Sequence, residues 1–333
     1  MTSYPFPTFR ALLDLRPLED PAIHPDGRRV AVTVGEAFVR HGDGRQSRVW
    51  VVGDGGPAQQ VTNGPGADRL PRWSPDGSTL AFLSDRGTSG MHGVYLWREG
   101  ERERRLAAAI GGAVEEVRWS RDGRQLLVMA ADAGSDRAGT QAATRIEAAA
   151  GEGDPSVQRP SDAWRRLFLV DVETGDAREL PLTGQTAWEA DWDGATRIVS
   201  VTSADPTESG WYDASVRVVN TEGGDGRVVY QPSGQLQNAR ISPTGGHMGV
   251  VETLCSDRGV LAGQPVLVDL GSGAVARVAG LEDVAFLECE TRVPCGTQRG
   301  RASARVSASS ISMAPSRNGG PARSRRAHVT RCE

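Results

Sequence analysis

The chain contains no lysine: all 38 of its basic side chains are arginine. A GC-rich gene produces that bias, so it is not by itself a binding feature. The arginines are also mixed with acids, as in Arg102-Glu103-Arg104-Arg105. Such a segment reads as a solvated strand or loop, and nucleic-acid binding is not expected. Cysteine is scarce, with four in 333 residues, three of them after residue 288. That excludes a disulfide framework. Cys289 and Cys295 have no usual zinc spacing and no histidine nearby, so no metal is expected, nor any cofactor. Long apolar runs are missing too. None approaches the roughly 18 residues of a membrane span, and no apolar segment near the amino terminus reads as a secretory leader. A cytoplasmic, reduced protein without a membrane partner is the expectation.

What the chain does have is one hairpin, written several times. Residues 71–87 read Pro-Arg-Trp-Ser-Pro-Asp-Gly-Ser-Thr-Leu-Ala-Phe-Leu-Ser-Asp-Arg-Gly. Pro75 presets φ for the second turn position, Asp76 suits the third, and Gly77 can take the positive φ that a type I turn with a bulge requires. The return strand, Leu80 to Ser84, is apolar on both alternating faces, so it expects cover above and below.

The turn serves as a register mark. His24-Pro25-Asp26-Gly27 comes first. Ser74-Pro75-Asp76-Gly77 follows 50 residues later, Ser120-Arg121-Asp122-Gly123 after 46, a worn Asp191-Trp192-Asp193-Gly194 after 71, and Ser242-Pro243-Thr244-Gly245 after 51. A third strand lies between successive turns: 47–52, 93–97, 166–171, 216–219 and 265–269. Short fourth strands follow, such as 177–180 and 276–278. Four antiparallel strands in about 45–50 residues predict an all-β chain, a β-propeller with five recognisable blades and an incomplete ring. Stacking blades buries the faces that one unit cannot bury alone.

The expected domains are a helical segment at 1–20, the propeller at 21–287 and a tail at 288–333. Thr8 is a plausible N-cap for a short helix with Phe9, Leu12 and Leu13 on one face. The long third interval holds an insertion, about 131–163, rich in Ala, Gly, Asp and Ser, which reads as a surface loop. Its Asp132 and Asp136 lack the bidentate glutamate and the loop spacing of a calcium site.

Leu12-Leu13-Asp14-Leu15, Asp20-Pro21-Ala22 and Pro25-Asp26-Gly27-Arg28-Arg29-Val30-Ala31 resemble the amino-terminal end of the prolyl-oligopeptidase family of serine peptidases, in its acylaminoacyl-peptidase and dipeptidyl-peptidase-like branch. Arg72-Trp73-Ser74-Pro75-Asp76-Gly77 with 80–86, and Leu167 to Gly175, are similar to the same branch. The blade motif alone is shared with TolB-like propellers. The resemblance spans about residues 8–287. It implies a propeller that caps an α/β-hydrolase domain and admits only short peptides to a Ser-Asp-His site. The nucleophile of that site sits in Gly-x-Ser-x-Gly. These 333 residues contain no such elbow. The nearest approach, Gly87-Thr88-Ser89-Gly90-Met91, lacks the last glycine and reads as a flexible turn. His24, His41, His92, His247 and His328 have no serine and acid in a credible arrangement. No catalytic residue, cofactor ligand or metal ligand is therefore assigned.

From residue 288 onward there is no Leu, Phe, Trp or Tyr, and nine arginines face three glutamates. The tail's net charge is +6, which leaves −10 on residues 1–287. Such a composition reads as disordered. Two origins fit it: a frameshift in a GC-rich gene, which is preferred, or a true basic tail. The resulting expectation is an inactive fragment of a serine peptidase, lacking its α/β-hydrolase partner domain and self-associating through unclosed blades. The alternative is a stand-alone TolB-like propeller acting as a protein-interaction module.

Overall fold

The computed structural model describes residues 15–37, 45–53, 55–135, 162–224, 226–254, 262–281, 283–291, 304–310 and 325–329. Residues 8–14 of the expected helix, most of the insertion at 131–163, His41, Asp136 and much of the tail lie outside these residues.

Five four-stranded antiparallel sheets account for nearly all of the described chain. Blade one is β1 (Leu18–Ile23), β2 (Arg29–Gly35), β3 (Ser47–Gly53) and β4 (Gln59–Gln60). Blade two is β5 (Asp68–Trp73), β6 (Leu80–Ser84), β7 (Gly93–Trp97) and β8 (Arg104–Leu106). Blade three is β9 (Ala113–Trp119), β10 (Gln125–Ala131), β11 (Arg165–Asp171) and β12 (Ala177–Leu180). Blade four is β13 (Thr186–Trp192), β14 (Arg197–Ser203), β15 (Ser215–Asn220) and β16 (Arg227–Tyr230). Blade five is β17 (Gln235–Ile241), β18 (His247–Thr253), β19 (Gln264–Asp269) and β20 (Val275–Arg277). Each sheet joins its strands in chain order, the meander of a propeller blade, and none closes on itself.

The described chain divides into two compact units. The first holds residues up to Ala130 together with 170–177; the second holds 131–135, 162–169 and 178 onward. In the first unit, β6 is buried at every position from Leu80 to Ser84. Both faces are covered, as the unbroken apolar run requires. Leu80 and Phe82 pack with Ala31, Val49 and Val61 of blade one and with Tyr95 of blade two. In the second unit, Trp188, Val199, Val201 and Val216 of blade four pack with Leu236, Val250 and Val266 of blade five.

The turns do more than reverse the chain. Gly77 has φ +74°, and a Cβ there would fall 2.2 Å from His24 Nε2. The missing side chain lets His24 donate to the Gly77 carbonyl at 3.0 Å, linking the turns of blades one and two. The second unit repeats the device. Arg197 Nη1 donates to the Gly245 carbonyl at 2.7 Å, and Gly245 has φ +70°. Side-chain acids make a second link. Asp20 accepts from the Leu70 amide at 3.2 Å, and Asp191 accepts from the Ile241 amide at 3.0 Å, each across 50 residues.

Two features differ from the sequence expectation. A one-turn helix, α1 (Glu208–Trp211), interrupts the link between β14 and β15. It seats Trp211, 1% exposed, in the core of the second unit. At the carboxyl end, β21 (Val284–Thr291) runs past Leu287, where the blade pattern in the sequence stops. It pairs with β22 (Ala304–Ser310), which pairs with β23 (Arg325–Val329). Such pairing uses peptide groups and needs no large apolar side chain.

Candidate functional site: the loop end of the blades

Alternation of strand direction puts the first and third links of every blade at one end and the second link, with the connection to the next blade, at the other. The first end is closed by tight, self-satisfied turns. Asp26, Asp76, Asp122 and Asp193 each accept from the backbone amide two residues on, at 2.8–3.0 Å. Hydrogen bonds from the Ser74 hydroxyl and from Ser78 outweigh the slight burial of Asp76 and hold its carboxyl at about 2. In the third links, Asp171 and Asp269 accept pairs of backbone amides in the same way, and their carboxyls lie below the usual range. Carboxylates spent on turn amides are poor general bases. This end is scaffold.

The opposite end varies in length and composition, which is where binding residues concentrate on a rigid frame. In the first unit it is organised by Ser84-Asp85-Arg86, at the end of β6. Asp85, 6% exposed, accepts from the Ala67 amide at 2.6 Å and the Gly90 amide at 2.9 Å. One carboxylate thus ties the incoming connection from blade one to the 85–92 link. Arg86 pairs with the fully buried Asp68 at 2.9 Å and with Glu103. Its guanidinium lies 4.7 Å from the Tyr95 ring centroid and 5.5 Å from that of Phe82. The pairing and the two rings hold a half-buried charge in place. Next to this cluster is a cavity of about 300 Å³ lined by Met91, His92, Tyr95, Arg105, Ile110 and Val114, among others.

In the second unit the corresponding acid is Glu252, 6% exposed, at the end of β18. It accepts from the Ser233 amide at 2.8 Å, the Ser233 hydroxyl at 2.9 Å, the Gly234 amide at 3.1 Å, the Tyr230 hydroxyl at 2.5 Å and Arg277 at 2.6 Å. Burial pushes Tyr230 up to about 12, aided by its bond to the carboxylate. A further cavity of about 400 Å³ lies beside Trp164, Arg166, Glu179 and Gln185. Arg166 there is committed to Asp132 at 3.2 Å and Glu179 at 3.0 Å.

The residues weighed in the sequence are dispersed. Ser89 lies in a turn in which the Met91 amide bonds to the Thr88 carbonyl. Among the described residues it makes no hydrogen bond to a histidine or carboxylate. His24 is a blade latch, His92 is buried at the cavity, and His247 begins β18, 3.3 Å from Asp269. Asp132 clamps the Trp164 amide and Arg166. No group of three His, Cys, Asp or Glu among the described residues could hold a metal ion. The Asp85 and Glu252 clusters escaped sequence reasoning. The one available signal was an acid at or just after the end of a second strand.

The chain is 32% identical over 171 residues to the uncharacterized peptidase YuxL of Bacillus subtilis, taking in 48% of this chain and 25% of that protein. The chain is thus similar to part of a peptidase. Its fold is similar to the Pyrococcus horikoshii acylaminoacyl peptidase, with a TM-score of 0.56 at 14% identity over 89% of this chain and 43% of that one. It is similar also to a putative TolB from Agrobacterium tumefaciens, with a TM-score of 0.53 at 15% identity over 79% and 80% of the two chains. No family model matches the chain. The matches bear out the resemblance to the prolyl-oligopeptidase propeller, and the five four-stranded sheets bear out the five-blade reading. The propeller spans a quarter of its curated relative and under half of the peptidase structure.

Proposed function

We propose that this chain is the substrate-gating propeller of a prolyl-oligopeptidase-type serine peptidase, acting on short peptides together with an α/β-hydrolase domain that these 333 residues do not encode. The observation that carries the reading is the 32% identity to a peptidase over 171 residues. The blades support it chemically. Their first strands carry charged groups: Glu19, Arg69 and Arg72 in the first unit, Glu189, Asp191 and Arg240 in the second. Charged groups of this kind suit extended peptide, whose backbone amides and carbonyls all need partners. A cytoplasmic location and self-association through uncovered blade faces go with this reading.

The fit to TolB along four-fifths of both chains favours a second reading, a stand-alone interaction module. A peptidase assay addresses the first. The purified chain, given acyl-dipeptide p-nitroanilides, is expected to show no turnover that a serine-directed phosphonate abolishes. The same assay with the α/β-hydrolase domain of a relative added should show slower cleavage of long peptides than of short ones. Unchanged length selectivity would favour the interaction module, and phosphonate-sensitive turnover by the chain alone would overturn the assignment of catalysis to another domain.

A further inference from the structure

The cavity of blade two is bounded by the 85–92 link and by the connection that leads into β9. Met91, Ile110 and Val114 supply apolar wall; His92, Tyr95 and Arg105 supply polar groups. Arg105 on β8 stands directly opposite Tyr95 on β7. Its guanidinium passes over two glycines. A Cβ at Gly93 would lie 3.4 Å from Arg105 Nε, and one at Gly87 would lie 3.9 Å from Nη1. Side chains at these positions would crowd it.

The charges around Arg105 are committed elsewhere. Asp68 and Glu103 belong to Arg86, and Asp85 is held by the Ala67 and Gly90 amides. Among the described residues no carboxylate pairs with Arg105, and the Tyr95 hydroxyl makes no hydrogen bond. An exposed arginine on an open strand is an ordinary solvated cation. This one borders a concave site that already holds a tyrosine hydroxyl and an apolar wall. The recess is lined by polar as well as apolar surface, and about 300 Å³ is the small end of the range of small-ligand sites.

We propose that this cavity binds a small organic carboxylate with an apolar side group, of the kind found at the free carboxyl end of a short peptide. The planar guanidinium of Arg105 takes both carboxylate oxygens in a fork. The Tyr95 hydroxyl donates to one of them, and the side group lies against Met91, Ile110 and Val114. This assignment is independent of the peptidase reading, since it needs no hydrolase domain.

Titration calorimetry of the full chain tests it, with N-acetyl-leucine, N-acetyl-leucinamide and inorganic phosphate as probes. N-acetyl-leucine is expected to bind at least tenfold more tightly than the amide and than phosphate. Arg105→Gln should weaken it tenfold or more while leaving the thermal transition in place, because the Arg105 side chain is exposed and makes no hydrogen bond or ion pair in the fold. Arg102→Gln, an exposed arginine three residues away, should leave binding unchanged. Equal binding of acid and amide, phosphate binding as tight as N-acetyl-leucine, unaltered affinity in Arg105→Gln, or no binding at all would overturn it.

Discussion

Replacing Glu252 by alanine is expected to destabilise the second unit by about 3–5 kcal/mol. The side chain is 4% exposed and accepts five hydrogen bonds, three of them from Ser233 and Gly234. Alanine leaves the buried Tyr230 hydroxyl and these donors without an acceptor, and each such group costs about 1–3 kcal/mol. Arg277 contributes less, because its side chain is 45% exposed and water screens the pair. Glutamine keeps the shape and part of the acceptor capacity, so its cost should be about 1–2 kcal/mol.

The same residue carries a pH dependence whose sign is fixed. Burial pushes the Glu252 carboxyl up, but hydrogen bonds from Tyr230, Ser233 and Arg277 outweigh it and hold the group at about 2, against 4.5 for a free side chain. A carboxyl depressed in the folded state contributes stability above its unfolded value and loses it as the pH falls through the folded one. The stability gap between the natural chain and Glu252→Gln should therefore be constant above about pH 5.5 and narrow from about 4.5 down to 2. Urea unfolding at a series of pH values reads this directly. A gap that stays constant or widens on acidification would show that the carboxylate is not held by these partners.

Phe82→Ala is the second large effect, at about 3–5 kcal/mol. The ring is fully buried and stacks on Tyr95 with centroids 5.7 Å apart. It also lies under Arg86, so its loss opens a void and removes a support of the Arg86 charge cluster. The cost is a large share of the about 5–15 kcal/mol that holds a typical domain together. Val228→Ala, on the 43% exposed Val228 of β16, should shift stability by no more than about 0.5 kcal/mol. Denaturant midpoints of the two variants check the pair. A loss below about 1 kcal/mol for Phe82→Ala would mean that β6 is not covered on both faces.

Phe82 also shows why the blades were legible before any coordinates. Its strand is apolar at consecutive positions, and the preceding Ser74-Pro75-Asp76-Gly77 can scarcely do anything but turn. The strand read as Leu80 to Ser84 has those bounds in the structure. Other features left no such trace. Asp20, Leu70 and Asn238 take positive φ at bulges in the first strands of their blades, and nothing in a leucine marks Leu70 as left-handed. A four-residue helix such as α1 is too short to show a period. Glu252 draws on partners as far as 25 residues away, and that adjacency exists only once the blade has formed. Arg105 looked like one more arginine in a mixed cluster. Only its register opposite Tyr95 places it at a cavity.

The proposed origin of this propeller in a serine peptidase is tested most directly by the gene itself. Sequencing codons 280–333 and the DNA beyond, with translation in all frames, should reveal a frame in which blade strands resume and lead to Gly-x-Ser-x-Gly, then an aspartate and a histidine in that order. A confirmed reading frame with no hydrolase sequence in any frame downstream would contradict the peptidase origin and leave a stand-alone propeller whose partner is then the object to find.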